Sequence, residues 1–374
     1  LRDYFEKHAY GNTTEDDLWS SLSSVSGKDV GAFMASWLTK PGYPVVTADG
    51  ATLTQHRLFI GQHVDDNAAW PVPLLPDTAR FPAVLDQVSV SVLAENVIFN
   101  IGDGAHFVTR YDEARFENIR KKIEAGALSS IDTVRLLNEY HILALAGQAD
   151  CRQLVALIRA ASHAKSPTVW QAISNVFALL MLLVDHGTGD SQQLQQFAYT
   201  ITIDNFVRLG WKPPTGRESE ENKRLRPIIG ELMGYTENDD ITVAAIATYN
   251  SSEFANLDPA MRVPATKVII RNGVDQLTFE KLLELYRTSP LPELRQDLTN
   301  VLTATRATEQ IALLIQSLTD GTIRPQDLRR WLPPLLSSPS AREQTWQWLQ
   351  DNWEWIMTTF KGDVTLDNFP YFAG

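Results

Sequence analysis

The sequence predicts a mixed, mainly α-helical protein made of a short helical segment, a small β-sandwich and a long α-solenoid. Helical patterns give way to β-type residues at Gly42-Tyr43, short β-rich runs fill the next seventy or so residues, and helical periodicity then continues to the end. A chain of 374 residues exceeds the size at which single hydrophobic cores stop growing. We therefore expect three domains, with limits at 1–43, 44–111 and 112–374.

The junction between the helical and β-type segments is the clearest boundary in the chain. The apolar residues before it recur at helical spacing and form one stripe: Val30, Phe33, Met34, Trp37 and Leu38. Pro41 and Gly42 end this helix, because proline cannot continue the hydrogen-bond ladder and glycine accepts a left-handed exit. A strand is expected to begin at Pro44.

Residues 1–42 predict three short helices. Thr14 and Asp17 have the spacing of a capping box, with aspartate in place of the usual glutamate. Helices of this length bury little apolar surface by themselves. They need a preceding partner or the next domain to cover their apolar stripes, and the start of the chain inside a helical pattern suggests an excised piece.

The sandwich is predicted from short β-rich runs separated by Gly, Pro, Asp and Asn. The clearest runs are Leu53–Ile60, Trp70–Leu75, Val88–Leu93, Asn96–Phe99 and His106–Tyr111.

From Asp112 onwards, proline and glycine breakers cut the helical pattern into helices of ordinary length. Pairs of helices at roughly 40 to 47 residues are typical of HEAT-like arrays. Although no clean sequence repeat is visible, we expect an irregular α-solenoid of HEAT-like helix pairs.

Composition excludes several classes of partner. The formal net charge of −12 argues against nucleic acid and against an anionic membrane, because phosphate binding needs concentrated lysine and arginine. The longest apolar run, Val176–Val184, falls well short of the roughly 20 residues of a membrane-spanning helix. The single cysteine, Cys151, cannot form an internal disulfide and is predicted to be a small buried side chain. The expected location is cytoplasmic.

Several motifs resemble the zinc aminopeptidases of the M1 type, the aminopeptidase N family. In the helical segment and its exit these are TTEDDLW (Thr13–Trp19), SGKDV (Ser26–Val30) and SWLTKPGYPVV (Ser36–Val46). The resemblance continues through Gln55–Phe59, Trp70–Leu74, Arg110–Asp112, Leu209–Trp211, Leu225-Arg226, Ile323–Asp327 and Thr345–Leu349. No single motif is specific, but their succession covers nearly the whole chain.

The resemblance implies that residues 1–43 are the last helices of a thermolysin-like catalytic domain, followed by the β-sandwich and a truncated helical-repeat domain. Enzymes of this family remove N-terminal residues from peptides, and their C-terminal part encloses the active-site chamber and gates peptide access. The implied partners are the missing N-terminal and catalytic domains of the same polypeptide, and peptide substrates. Zinc is expected in the full-length parent and not in this chain.

The sequence itself contains no recognisable catalytic set. None of the seven histidines is followed by glutamate, so the family's HExxH zinc motif is absent. A nucleophile elbow and a phosphate-binding loop are absent as well. We predict no catalytic residue and no metal ligand, and we expect this chain alone to be inactive.

Arg324, Arg329 and Arg330 are the candidate binding residues. They lie at the start of a predicted helix and could meet a peptide carboxylate through charge-assisted hydrogen bonds. A solvated helix face is the competing interpretation of each one. Two other functions stay open for the whole chain: a stand-alone helical-repeat scaffold for a protein or peptide, and a regulatory domain that docks onto a separate catalytic subunit.

Overall fold

A computed structural model describes residues 1–61, 68–92, 96–213 and 217–363, together with Leu366 and Phe369. Within these residues the protein is mainly helical, as predicted, and a small mixed sheet lies near the N-terminus in the region expected to be β-structured. The chain divides into two compact units, Leu1–Ala164 and Lys165–Gly374. The domain limits expected at 43 and 111 fall inside the first unit and stay a prediction.

The first unit begins with the three predicted short helices, α1 (Arg2–Lys7), α2 (Glu15–Ser26) and α3 (Val30–Thr39). The Thr14 backbone N–H donates to the Asp17 carboxylate at 2.8 Å, as expected of the capping box. Helix α3 ends two residues before Pro41, and Gly42 then adopts a φ of +82°. A side chain at Gly42 would meet Arg57, so the turn into the sheet requires glycine.

Six short strands follow in the described residues: β1 (Pro44–Asp49), β2 (Thr52–Arg57), β3 (Val72–Pro73), β4 (Val84–Leu85), β5 (Ser89–Ser91) and β6 (Val108–Tyr111). One sheet has the order β5-β2-β1-β6, and β3 pairs with β4 in a second sheet. Strand β1 runs antiparallel to β2 and parallel to β6, so the larger sheet is mixed.

The strand predicted at Asn96–Phe99 is wrong, and the strand predicted at Val88–Leu93 is shorter, with Leu93 outside the described residues. The buried run at 97–99 bonds to side chains instead of to a neighbouring strand. Ile98 N–H donates to the Asp77 carboxylate at 3.1 Å, and Phe99 N–H donates to the Tyr111 hydroxyl at 2.9 Å. Burial is therefore compatible with an extended segment that joins no sheet.

Helices α4 (Glu113–Glu124), α5 (Ser130–Leu145) and α6 (Cys151–Ala161) complete the first unit. A buried ion pair links α5 to the sheet, because Arg135 donates to Glu139 at 2.8 Å and to the Thr109 hydroxyl of β6 at 3.3 Å. Burial raises the pKa of Glu139, and the positive charge of Arg135 opposes that shift.

Cys151 is exposed, so the prediction of a buried thiol is wrong. It is the first residue of α6, directly after the capping residue Asp150. The residues of α6 that are buried begin further along the helix, at Leu154. The apolar periodicity of this segment was correct, but the cysteine lies before the buried stripe starts.

The second unit is an array of helices. Their bounds are α7 (Pro167–Leu182), α8 (Gly189–Leu209), α9 (Glu220–Tyr235), α10 (Asp239–Tyr249), α11 (Pro259–Arg271), α12 (Gln276–Thr288), α13 (Pro292–Leu302), α14 (Thr308–Ser317), α15 (Leu328–Ser337), α16 (Arg342–Asp351) and α17 (Trp353–Thr359). Short 3-10 helices lie at Phe254–Asn256 and Pro325–Asp327.

These helices alternate between two layers. Helices α7, α9, α11 and α13 contact one another in succession, and we call them the first layer; α8, α10 and α12 pack onto α9, α11 and α13 respectively. Glycine permits the closest of these approaches, since a Cβ atom at Gly234 of α9 would lie 2.6 Å from a methyl group of Val268 on α11. Alternation of this kind agrees with the predicted helix pairs.

Candidate functional site

A groove of about 870 Å³ crosses the first layer of the second unit. Its lining comes from helices α7, α9 and α11, with one residue from α13. Amides and hydroxyls line its two ends, Gln171 and Ser174 from α7 and Asn300 from α13. Apolar side chains line its middle, including Ile228 and Val263. This volume lies within the range of sites that hold small molecules or side chains.

Two helices of the groove contain an internal proline that lines it, Pro227 in α9 and Pro264 in α11. Proline has no N–H, so it cannot donate to the carbonyl group four residues earlier. The carbonyl oxygens of Lys223 and Ala260 consequently lose their α-helical donors.

Carboxylates outnumber basic groups in the lining. Helix α9 contributes Glu220, Glu221 and Glu231, against one guanidinium from Arg224. Glu220 accepts a hydrogen bond from Lys223 at 2.7 Å, which lowers the pKa of this carboxyl group. Burial opposes the same effect at Glu231. The charge and hydrogen bond of its partner Lys267 nevertheless lower the pKa of Glu231, so both groups are ionised at neutral pH.

A second polar cluster joins three interhelical connections of the same unit. Glu237, which follows α9 with a φ of +53°, accepts a hydrogen bond from Arg306 at 2.5 Å and lies 3.2 Å from the Nε2 atom of His186. Burial opposes ionisation of this carboxyl group, but Arg306 and His186 together lower the pKa of Glu237. The cluster links the segments after α7, α9 and α13 through one carboxylate.

Two of the three candidate arginines lie beside a buried aspartate, Asp327. Arg324, Arg329 and Arg330 are all exposed. The Nε atom of Arg324 lies 3.2 Å from the Asp327 carboxylate, and Arg330 lies 3.9 Å from it. Tyr286 also donates to Asp327, at 3.1 Å. Asp327 therefore anchors the start of α15, and the assignment of these arginines to a peptide carboxylate stays a prediction.

Another cavity, of about 950 Å³, lies in the first unit beside α4 and α6. The charged groups that line it are largely paired with one another: Arg120 with Glu117, and Arg152 with Asp150. These contacts explain the charges as internal ion pairs of the cavity wall and give no indication of a ligand.

The described part of the chain does not offer a ligand set for a metal ion. Among its residues, no three or more His, Cys, Asp or Glu side chains lie in an arrangement that could hold one. His141 is partly buried, and burial lowers its pKa. Across the described ranges, no helix is long and apolar enough to cross a membrane.

The groove was not predicted from sequence. Its residues are spaced at helical intervals on separate helices, and only the stacking of α7, α9, α11 and α13 brings them together. One signal could have indicated it: prolines occur inside two helical patterns, where they leave a carbonyl group without its donor. Neither Pro227 nor Pro264 was singled out in the sequence.

Comparison with known proteins places these features in a family context. Residues 96–373 match the family described as ERAP1-like C-terminal domain. The chain is 30% identical to aminopeptidase N of Lactobacillus helveticus over 99% of its own length and 45% of that protein. It is also 30% identical to aminopeptidase N of Lactococcus lactis subsp. lactis and 24% identical to aminopeptidase M1 of Arabidopsis thaliana, with the same coverage. The chain thus spans about 45% of the length of these curated relatives.

Proposed function

Because the chain belongs to the ERAP1-like C-terminal domain family, we propose that it is the C-terminal part of an M1-type zinc aminopeptidase. The whole enzyme removes N-terminal residues from peptides. The observation that carries this proposal is the alignment of 99% of the chain with aminopeptidase N. That alignment includes the residues before 96, where the family match begins, so the small helices and the sheet support the same assignment.

In this proposal the zinc ion and its ligands belong to the region of the enzyme that precedes this chain. The described residues do not fit a zinc site, because they bring together no suitable group of ligands. We therefore assign no catalytic step to them. The role of this part is to complete the chamber in which another region performs the chemistry.

Exposed apolar side chains on the first three helices support a missing partner. Apart from Ser36 and Thr39, helix α3 contains only small and apolar residues, yet none of its residues is buried. Leu38 is 53% exposed, and Phe5 of α1 is 65% exposed. Apolar surface of this kind marks an interaction site in a folded protein. The preceding catalytic domain is the proposed occupant.

The second part of the proposal is that the helix array controls the access of peptides to the active site. Its first layer carries a groove with both apolar groups and hydrogen-bonding groups, as a peptide requires. We assign this layer to the wall of the chamber. Residues such as Ser174 and Asn300 would then contact long peptides and not a short substrate.

The principal experiment compares this chain with the product of the complete gene. The complete enzyme should hydrolyse an aminoacyl chromogenic substrate, lose activity to a chelator and recover it with zinc, whereas this chain should be inactive. Zinc-dependent turnover by this chain alone would contradict the proposal. So would a complete gene that encodes no HExxH motif.

Access control is tested by filling the groove in the complete enzyme. We expect Asn300→Trp to lower kcat/KM for a peptide of ten residues by about tenfold, because the bulky ring occupies space that the peptide needs. Turnover of the chromogenic substrate should not change. Lys281→Trp, on the exposed side of α12, is the matched control. Equal loss for both substrates would remove the gating role.

A further inference from the structure

We propose that the groove on the first layer binds the main chain of an extended peptide, through hydrogen bonds that do not depend on the peptide's side chains. The use of this site for substrates of the whole enzyme rests on the function proposed above. The binding itself is inferred from the unpaired hydrogen-bonding groups of the groove, its balanced charge and its length.

The amide at the α7 end of the groove presents an acceptor. Gln171 donates from its Nε2 atom to the Asn175 side chain at 3.0 Å, one turn further along the helix, which orients the amide. Within the described residues, the Oε1 atom of Gln171 and the hydroxyl group of Ser174 have no hydrogen-bond partner, and both residues line the groove. A main-chain N–H group of a peptide can donate to either oxygen.

The amide at the α13 end presents a donor. Asn300 accepts at its Oδ1 atom from the Gln296 side chain at 3.2 Å, so this amide is oriented as well. Across the ranges that the structure covers, its Nδ2 atom makes no hydrogen bond and can donate to a main-chain carbonyl group. The two ends therefore offer the opposite partners that a peptide unit needs, an acceptor for its N–H and a donor for its C=O.

The charges around the groove give no preference for a charged ligand. Once the lysines that pair with lining carboxylates are counted, three carboxylates are matched by three basic groups, and their formal charges cancel. These residues are Glu220, Glu221 and Glu231, with Lys223, Arg224 and Lys267. A peptide main chain is polar but uncharged, and it suits such a surface.

The length of the groove favours a peptide over a small molecule. The groove runs from α7 across α9 and α11 to α13, and each of these helices packs on the next. Since neighbouring helix axes lie roughly 8–10 Å apart, its ends are on the order of 25 Å apart, a span of about seven extended residues. Between the ends, Ile228 and Val263 give apolar surface on which side chains of different shapes can pack.

The test measures binding, without turnover, to the full 374-residue chain. The probe is an eight-residue peptide of alanine and serine, acetylated and amidated so that its ends carry no charge. Two analogues replace alternate main-chain N–H groups by ester oxygen atoms, one at odd and one at even positions. Because successive N–H groups of an extended chain point to opposite sides, one analogue should bind about tenfold more weakly in calorimetry.

The charge of the peptide side chains should matter little. Peptides with lysine or with glutamate at the two central positions should bind within about threefold of the probe, because the charges of the groove cancel and exposed charges are screened by salt. The same calorimetric titration measures these two affinities.

Variants assign the hydrogen bonds to the two ends of the groove. Gln171→Met removes the acceptor and Asn300→Leu removes the donor, so each should weaken binding of the probe several-fold, and Gln171→Met should also reduce the difference between amide and ester. Gln276→Met is the matched control, because Gln276 donates in the same way to Glu280 at 3.0 Å but lies on α12, outside the groove lining. Circular dichroism of each variant checks that the helices are retained.

Equal binding of the probe and both ester analogues overturns the inference, and so does the absence of probe binding at millimolar concentration. An affinity that changes more than about tenfold with side-chain charge, or that survives both Gln171→Met and Asn300→Leu, also overturns it. Failure of the proposed enzyme function is distinguishable, because it would appear as absent peptidase activity of the complete gene product while the ester effect on binding persists.

Discussion

Helices α3 and α15 are both ten residues long, yet only one of them is buried. Helix α15 carries two arginines and two internal prolines and nevertheless buries five residues: Leu328, Trp331, Leu332, Leu335 and Leu336. Helix α3 has no charged residue and buries none. Apolar composition therefore does not explain the difference.

The neighbours of each helix explain it. Helix α15 packs against α13 and α16, and its Trp331 ring lies edge-on to Tyr286 with 5.0 Å between the ring centroids. Helix α3 packs mainly against α2, which itself has only one buried residue, Ser21. Burial depends on the elements that a fold supplies around a helix. The comparison teaches that α3 has the sequence of a buried helix without its neighbours.

The largest expected difference comes from one truncation made in both helices. Leu332→Ala should lower the free energy of unfolding by about 2–5 kcal/mol, because it leaves a cavity at a fully buried site. Leu38→Ala should change it by less than about 0.5 kcal/mol, since that side chain is half exposed. Urea unfolding followed by circular dichroism measures both. Similar losses would mean that α3 is buried in solution and would break the comparison.

The aspartates that begin the two helices should also differ. Asp327→Ala should cost about 1–3 kcal/mol, because it leaves the buried Tyr286 hydroxyl without its acceptor. Asp29 only caps α3, accepting from Ala32 N–H at 2.9 Å, so Asp29→Ala should cost about 1 kcal/mol. The same unfolding measurement applies. A smaller loss at Asp327 than at Asp29 would contradict its role as an anchor.

A charge on α3 should affect this chain much less than the complete enzyme. In this chain, Leu38→Glu should leave stability within about 0.5 kcal/mol and should reduce self-association, seen by light scattering. In the complete enzyme it should destabilise by about 1–2 kcal/mol, because a carboxylate would replace an apolar contact. Ser20→Glu, at an exposed position of α2, serves as the control. Identical effects in both proteins would argue against the proposed interface.

The smallest effect concerns a charge whose partners are inside the chain. Arg306 and His186 keep the pKa of Glu237 below its ordinary value of 4.5, against the effect of burial. Because the pKa of Glu237 is lower in the folded state than in the unfolded state, its ionisation stabilises the fold at pH values above 4.5. This stabilisation is lost as the pH falls through the lowered pKa. Glu237→Gln should therefore cost about 0.5–1 kcal/mol at neutral pH.

This cost should disappear in acid. Unfolding midpoints of the unchanged chain and of the Glu237→Gln variant are measured at neutral pH and well below pH 4.5. The difference in midpoint between the two proteins should disappear at the lower pH. A gap that is independent of pH would mean that the ion pairs of Glu237 contribute nothing. In that case the three interhelical connections are held by packing alone.

Local features of the fold were predictable from local sequence. The end of α3, the start of β1 at Pro44 and the Thr14 cap each depend on a few adjacent residues. The mixed order of the sheet was not predictable, because the parallel pairing of Val45 with Val108 joins residues far apart in the chain. The wrong strand at Asn96–Phe99 has the same cause, since distant side chains supply its hydrogen bonds.

The candidate site, like the fold, was only partly predictable from the sequence. The segment from Arg324 to Asp327 was recognised as a motif, but its chemistry was assigned to the arginines and not to Asp327, which Arg324 and Arg330 approach. The groove required the stacking of four helices to exist. Spacing along one helix cannot indicate which other helix lies beside it.

By itself, the sequence determined the succession of helices, strands and helices, and the resemblance to a family, because periodicity, turn residues and short motifs are local properties. Tertiary structure alone decided which apolar stripes are covered and which stay open, and which side chains share one groove. The physical reason is that burial and electrostatic environment depend on neighbours in space. For Leu38 and Leu332, those neighbours differ although the two residues do not.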